Sequence, residues 1–157
     1  MRKLIVYFTY TGHTKLIVDE ILKKHNCDVL ELKPKTPYST NMEEVVKEYR
    51  SNEYEHFTPE IEYDRSININ DYDEIIIGIP IWWYRVAPVI RTFLKENNLK
   101  NKHVYPFVSY CGFNGGAFDE IKDLLRESDM EPLMVFTFDG DKLKTFKTSM
   151  KEWIQKL

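Results

Sequence analysis

Lys3–Thr14, with the sequence KLIVYFTYTGHT, is the stretch that decides the fold. It opens with an unbroken apolar run of the length of a buried strand, which predicts a strand over residues 3–9. A loop of hydroxyl side chains and one glycine follows. Residues 14–25 then place apolar side chains at helical spacing, which predicts a helix. A strand, a polar loop and a helix in this order begin a βα unit.

The same alternation continues along the chain. Further strands are predicted over residues 28–32, 74–79, 103–108 and 133–138, and further helices over residues 88–96 and 118–126. Asp139-Gly140 ends the fifth strand. Asp141 is expected to cap a last helix, whose apolar residues are Leu143, Phe146, Met150, Trp153, Ile154 and Leu157. Strands that are apolar throughout belong to sheets covered on both faces. We therefore expect an α/β fold with a doubly wound, five-stranded parallel sheet, in a single domain over residues 1–157.

Residues 33–72 depart from this alternation, because they hold three prolines and few strongly apolar positions. Asn41-Met42-Glu43-Glu44 has the pattern of a capping box, which predicts a helix running toward Arg50. The remainder of this segment is expected to be a loop on the surface.

Composition and charge disfavour several classes of function. The net charge is −3 and the charges are interspersed, which disfavours a nucleic-acid partner. Cys27 and Cys111 are far apart and form no CxxC or Cys/His cluster, so reduced thiols and no metal site are expected. No apolar run has the length of a membrane span or a signal segment. We expect a soluble cytoplasmic protein without a membrane partner.

The loop Thr9–Thr14 is expected to lie at the carboxyl end of the first strand, where open α/β sheets bind ligands. It offers three hydroxyl groups from threonines, one from a tyrosine, and the free N–H groups of a helix start, which suit a phosphate. The alternative interpretation is a polar turn with threonine caps.

Two further loops are expected at the same edge of the sheet. Pro80–Pro88 holds three consecutive aromatic residues, which cannot all face one core, so at least one is expected at the surface. Ser109–Gly116 holds three glycines, which allow close approach of the backbone to a planar ligand. An aromatic core edge and a flexible turn are the respective alternatives, and Cys111 is interpreted as an ordinary thiol. Together the three loops predict a ligand with a phosphate at one end and a flat ring system at the other, and FMN fits that description.

These residues resemble the flavodoxin family. YFTYTGHTK (7–15) is similar to the family's phosphate loop, usually Ser/Thr-x-Thr-Gly-Asn-Thr. GIPIWW (78–83), PFVS (106–109) with the later Gly115-Gly116, and the stretch from ELKP (31–34) to Pro37-Tyr38 resemble a subgroup with a Pro-x-Trp-Trp flavin loop. The resemblance covers nearly the whole chain. It implies a strand order of 2-1-3-4-5 and FMN as the cofactor.

The resemblance also implies the residues that bind the cofactor. The phosphate would be held by Thr9, Tyr10, Thr11, Gly12, His13 and Thr14. The ribityl chain and ring would be lined by Pro80, Trp82, Trp83 and Tyr84. The other side of the ring would be closed by Ser109, Tyr110, Cys111, Gly112, Gly115 and Gly116. The sequence departs from the family pattern at His13, where Asn is usual, and at Tyr84, where Gly is common.

The expected function is electron transfer by bound FMN, with no catalytic side chain of the protein's own. The alternative is an FMN-dependent NAD(P)H:quinone or related oxidoreductase, which the loops do not separate from a carrier because the flavin supplies the chemistry in both. The expected partner is a redox protein or a small-molecule electron acceptor, and the expected state is a monomer or weak dimer. A receiver-type signalling domain is disfavoured, because Thr9-Tyr10 and Pro80-Ile81 stand where it needs acidic residues. A scaffold without a cofactor remains open.

Overall fold

The five predicted strands all form and belong to one sheet in the computed structural model, which describes residues 2–49 and 57–157 of the chain. The strands are β1 (Lys3–Tyr7), β2 (Asp28–Glu31), β3 (Lys33–Pro34), β4 (Ile61–Glu62), β5 (Glu74–Trp82), β6 (Arg85–Val86), β7 (His103–Tyr110), β8 (Asp129–Met130), β9 (Met134–Asp139) and β10 (Lys142–Leu143). The helices are α1 (His13–Leu22), α2 (Met42–Tyr49), α3 (Pro88–Glu96), α4 (Ala117–Leu124) and α5 (Lys147–Lys156).

The main sheet has the order β10-β9-β7-β5-β1-β2. Its five long strands are parallel, so in sequence order they run 2-1-3-4-5, and the predicted α/β class and strand order are confirmed. Three short strands pair with the long strands of this sheet. β6 pairs antiparallel with the end of β5, β8 pairs with the start of β7, and β10 pairs antiparallel with β9 at the sheet edge.

Both faces of the sheet are covered, as the continuous apolar strands require. On β1, Leu4 and Val6 belong to the core on one face, while Ile5 and Tyr7 belong to the core on the other. Helices α3 and α4 pack on the first face, and α1 and α5 pack on the second. This doubly wound arrangement brings the ends of β1, β5 and β7 to one edge of the sheet.

The described residues of the segment 33–72 hold more secondary structure than the sequence predicts. The predicted helix is confirmed as α2, and the Asn41 side chain caps it by accepting from the Glu43 N–H at 3.0 Å. Arg50, toward which this helix was expected to run, lies outside the described residues. The expected surface loop is wrong in part, because β3 and β4 form a two-stranded ribbon and residues 69–71 form a 3₁₀ turn.

The expected start of the last helix is wrong. Asp141 lies in a tight turn between β9 and β10, and α5 begins only at Lys147. Leu143 belongs to β10, where it pairs with Phe138, and Phe146 is exposed at the helix start. The physical reason is that Gly140, with a φ of 56°, takes the first position of the two-residue turn Gly140-Asp141 between paired Asp139 and Lys142, and this hairpin here wins over helix capping.

Candidate functional site

The loops that follow β1, β5 and β7 line one cavity of about 330 Å³. This volume is in the range of small-molecule sites. The lining residues are Thr9, Tyr10, Thr11, His13, Thr14, Met42, Pro80, Ile81, Trp82, Trp83, Tyr84, Ser109, Tyr110, Cys111, Gly112 and Phe113. Thirteen of the sixteen predicted binding residues are therefore brought together, while Gly12, Gly115 and Gly116 do not line the cavity.

The loop after β1 forms a cradle at the start of α1. Gly12 has a φ of 93° at the helix N-cap, and its N–H donates to Thr9 Oγ1 at 3.1 Å. The first N–H groups of α1 have no acceptor within the helix, and the first turn holds no acidic side chain. Such a helix start attracts anions through its exposed N–H groups and its dipole.

His13 lies at the wall of this cradle. Its ring stacks on Phe138 with centroids 4.2 Å apart and an interplanar angle of 4°. Its Nε2 lies 3.0 Å from Oδ1 of Asp141, so the turn between β9 and β10 lies against the first loop. The sequence predicts His13 at the site but gives no sign of either partner.

The aromatic residues at the end of β5 belong to a strained hairpin. Trp82 pairs with Arg85 across β5 and β6, and the two residues between them, Trp83 and Tyr84, have φ values of 46° and 70°. Positive φ at both turn positions matches the twist of a tight hairpin, but bulky residues rarely adopt it. Tyr84 is 54% exposed, which confirms the prediction that not all three aromatic residues face the core.

Trp82 is the centre of an aromatic cluster. Its ring centroid lies 5.0 Å from that of Tyr38, 5.5 Å from that of Tyr10 and 5.6 Å from that of Phe8. Tyr49 of α2 stacks on Trp83, with centroids 6.3 Å apart and an angle of 10°. Two described residues of the segment 33–72, Tyr38 and Tyr49, therefore cover the hairpin.

Met42 of α2 lines the cavity, although the sequence predicts no binding residue in the segment 33–72. No local motif marks that methionine, because its position depends on how the long segment folds back. Ile81 and Phe113 were also missed, although they lie inside two of the predicted loops. Their loop positions are the signal that could have found them.

The third loop is joined to the other two. Thr14 Oγ1 and Ser109 Oγ, both buried, lie 2.8 Å apart, which links it to the first loop. A Cβ on Gly115 would lie 2.2 Å from Tyr84 Cβ, so the absence of a side chain lets the third loop pack on the hairpin. Cys111 is exposed, yet partial desolvation, aided by the nearby carboxylates of Asp139 and Asp141, raises the pKa of its thiol.

No group of three or more His, Cys, Asp or Glu side chains in residues 2–49 and 57–157 could hold a metal ion. None of the described helices combines the length and the apolar character needed to cross a membrane.

Comparisons with known proteins bear on family and fold. The family model described as flavodoxin matches residues 2–157, whereas no curated protein sequence gave a match. A crystal structure of a flavoprotein from Lactobacillus acidophilus in complex with FMN is similar, with 22% identity, a TM-score of 0.73, and 85% of this chain and 92% of that chain covered. A candidate flavoprotein from Bacteroides eggerthii has 24% identity and a TM-score of 0.76, with 98% and 96% covered. A flavodoxin from the domain Archaea has 19% identity and a TM-score of 0.54, with 99% and 92% covered. At these identities the structural likeness shows the fold.

Proposed function

This chain belongs to the flavodoxin family, and on that premise we propose that it binds FMN non-covalently in the cavity and transfers electrons with it. One observation carries the proposal: a loop suited to an anion and a hairpin of aromatic side chains line the same cavity. FMN has a phosphate at one end and a flat ring at the other, so it matches both ends of the cavity.

The residues present fit the cofactor in chemistry as well as shape. Thr9, Thr11 and Thr14 offer hydroxyl groups at the start of α1, where helix N–H groups favour an anion. Trp83 and Tyr84 offer aromatic faces on the strained turn. Strained backbone is concentrated at functional sites, since the surrounding structure must hold it in place.

Bound FMN supplies the redox chemistry, and the protein supplies binding, orientation and electrostatics. The first loop would hold the phosphate. The hairpin and Ser109–Phe113 would contact the ring and exclude water from it. Tyr84 and Phe113, which are 54% and 78% exposed, leave the mouth of the cavity open to an electron donor or acceptor.

The exposed aromatic mouth also supports a second candidate. A small planar acceptor can stack against Tyr84 or Phe113, which favours an FMN-dependent NAD(P)H:quinone or related oxidoreductase as the alternative. The net charge of −3 is mild, which disfavours a dedicated carrier that docks on its partner by charge alone. Steady-state oxidation of NADH or NADPH with a quinone separates the two: turnover identifies the reductase, and its absence favours the carrier.

Titration of the apoprotein with FMN and with riboflavin tests the binding proposal. We expect one FMN per chain and at least tenfold weaker binding of riboflavin, because only FMN places a phosphate on the first loop. Replacing the exposed Thr11 with valine should weaken FMN binding and leave riboflavin binding unchanged. Equal affinity for both flavins, or no binding of either, would overturn the proposal.

The proposal also covers the location, the oligomeric state and the partner of the protein. We place the protein in the cytoplasm as one domain, a monomer or weak dimer, with a redox protein or a small-molecule acceptor as its partner. Light scattering on the purified holoprotein tests the oligomeric state. A stable higher oligomer would contradict it.

A further inference from the structure

A buried ion pair lies beneath the hairpin, outside the cavity itself. Arg91 of α3 and Glu120 of α4 approach to 2.9 Å, with side chains that are only 4% and 19% exposed. Burying two charges is costly unless they are paired and hydrogen-bonded, so such a pair needs further partners.

Both charged groups find those partners on one residue of the hairpin. Arg91 Nη2 donates to the carbonyl oxygen of Val86 at 3.2 Å, and the Val86 N–H donates to Glu120 Oε1 at 3.2 Å. Val86 pairs with Ile81 at the base of the hairpin, so both backbone polar groups of this β6 residue are held by the ion pair.

We propose that Arg91 and Glu120 are positioning residues, which hold the Trp83-Tyr84 turn in its shape for the flavin. The hairpin needs such support, because β6 has only two residues and the turn has two bulky residues at positive φ. A short two-stranded hairpin is marginal on its own, and strained dihedrals persist only where the surroundings fix them.

The pair also connects the second and third flavin loops. Glu120 lies in the first turn of α4, which begins directly after the loop Ser109–Gly116. That loop already contacts the hairpin where Gly115 meets Tyr84. Glu120 therefore fixes the distance between the two walls of the cavity.

Arg91 extends the same support to the segment that covers the hairpin. Its Nη1 donates to the carbonyl oxygen of Phe57 at 2.9 Å, and the neighbouring Thr92 hydroxyl donates to that of Pro59 at 2.7 Å. One guanidinium thus joins β6, α4 and the covering segment, and its planar fork suits such a junction.

The expected effects on FMN binding rest on the proposed function. Arg91→Met and Glu120→Gln should each raise the Kd for FMN at least tenfold and alter the visible circular dichroism of bound FMN. The matched control is Glu74→Gln, which breaks the Lys3–Glu74 pair (3.4 Å, 21% and 9% exposed) at the amino ends of β1 and β5. This control should unfold at lower urea concentration but keep the parent Kd within twofold and the parent dichroism.

A second measurement keeps the inference testable if the parent protein binds no FMN, an outcome that would sink the proposed function alone. In the apoprotein of either variant, backbone amides of residues 83–86 should exchange hydrogen at least tenfold faster, while those of β1 stay unchanged. The inference is overturned if both variants keep parent exchange in the hairpin. It is also overturned if they lose stability while Kd and dichroism stay at parent values, or if Glu74→Gln changes Kd as much as they do.

Discussion

Replacing Gly115 with alanine should damage both stability and flavin binding. Gly115 has a φ of 53°, a conformation in which an L side chain is strained. The added Cβ would lie 2.2 Å from Tyr84 Cβ, 2.8 Å from its Cγ and 3.0 Å from its Cα. The last of these is backbone, so rotating the tyrosine side chain cannot relieve the contact. The hairpin must move away from the third loop.

Two contributions set the loss of unfolding free energy in Gly115→Ala. The left-handed conformation costs about 1–2 kcal/mol for a residue with a Cβ. Overpacking of a closely fitted contact costs about 1–3 kcal/mol. We therefore expect the unfolding free energy of the apoprotein to fall by about 2–5 kcal/mol. FMN affinity should fall at least tenfold, because the displaced hairpin carries the aromatic residues that face the ring.

Two neighbouring glycines separate the terms. Gly112 has a φ of 81° but open space around the added Cβ, so Gly112→Ala should cost only the conformational part, about 1–2 kcal/mol. Gly116 has a negative φ and equally open space, so Gly116→Ala should change stability by less than about 1 kcal/mol. Urea unfolding and FMN titration of all three variants are the assays. If Gly115→Ala matches Gly112→Ala in both, the contact with Tyr84 does not hold the two loops together.

Three further predictions concern the site and its surroundings. Among single alanine replacements of the aromatic residues 82–84, at least one should restore flavin fluorescence or weaken FMN binding tenfold, because stacking on an aromatic face contributes about 1–3 kcal/mol; parent-like binding and quenching in all three would refute the stacking. The hydrogen bond to Asp129 raises the pKa of His103, so the pair stabilises the fold below the ordinary histidine pKa and loses this effect as pH rises through the raised value. Asp129→Asn should thus lower stability at pH 5–6 by less than about 1 kcal/mol and have little effect at pH 9, measured by urea unfolding at both pH values; an equal loss at both would contradict it. Partial desolvation and the nearby carboxylates raise the pKa of Cys111, so Asp141→Asn should lower that pKa and speed alkylation of Cys111 at pH 8, followed by mass spectrometry of its peptide; an unchanged rate would count against it.

The sequence was sufficient to predict the parallel frame because burial on both faces leaves a direct pattern. β5 has eight consecutive buried residues, and most of them are apolar. The sequence alone therefore indicates a strand that is buried on both faces of the sheet. The polar loop before α1 and the glycines after β7 are equally local features. Their meeting at one edge follows from the geometry of parallel strands alone.

Features that depend on distant contacts were not predictable in this way. Asp141 precedes residues that could extend a helix, yet pairing of Leu143 with Phe138 makes them a strand. Arg91 has the spacing of an ordinary helical residue, and only tertiary packing shows that it reaches Val86 and Glu120. Met42 enters the site because its part of the chain packs on Trp82 through Tyr38 and Tyr49, and no periodicity encodes that packing.

The two ends of the main sheet bear on how this protein behaves at high concentration. An open strand edge offers unpaired N–H and C=O groups to strands of other molecules, and proteins blunt this hazard with short, charged edge strands. Here β2 has four residues and exposes Asp28 and Glu31, and β10 has only two residues and exposes Lys142. β10 covers the outer edge of the longer and largely apolar β9. Variants in which β10 no longer pairs with β9 should therefore aggregate more readily at high concentration.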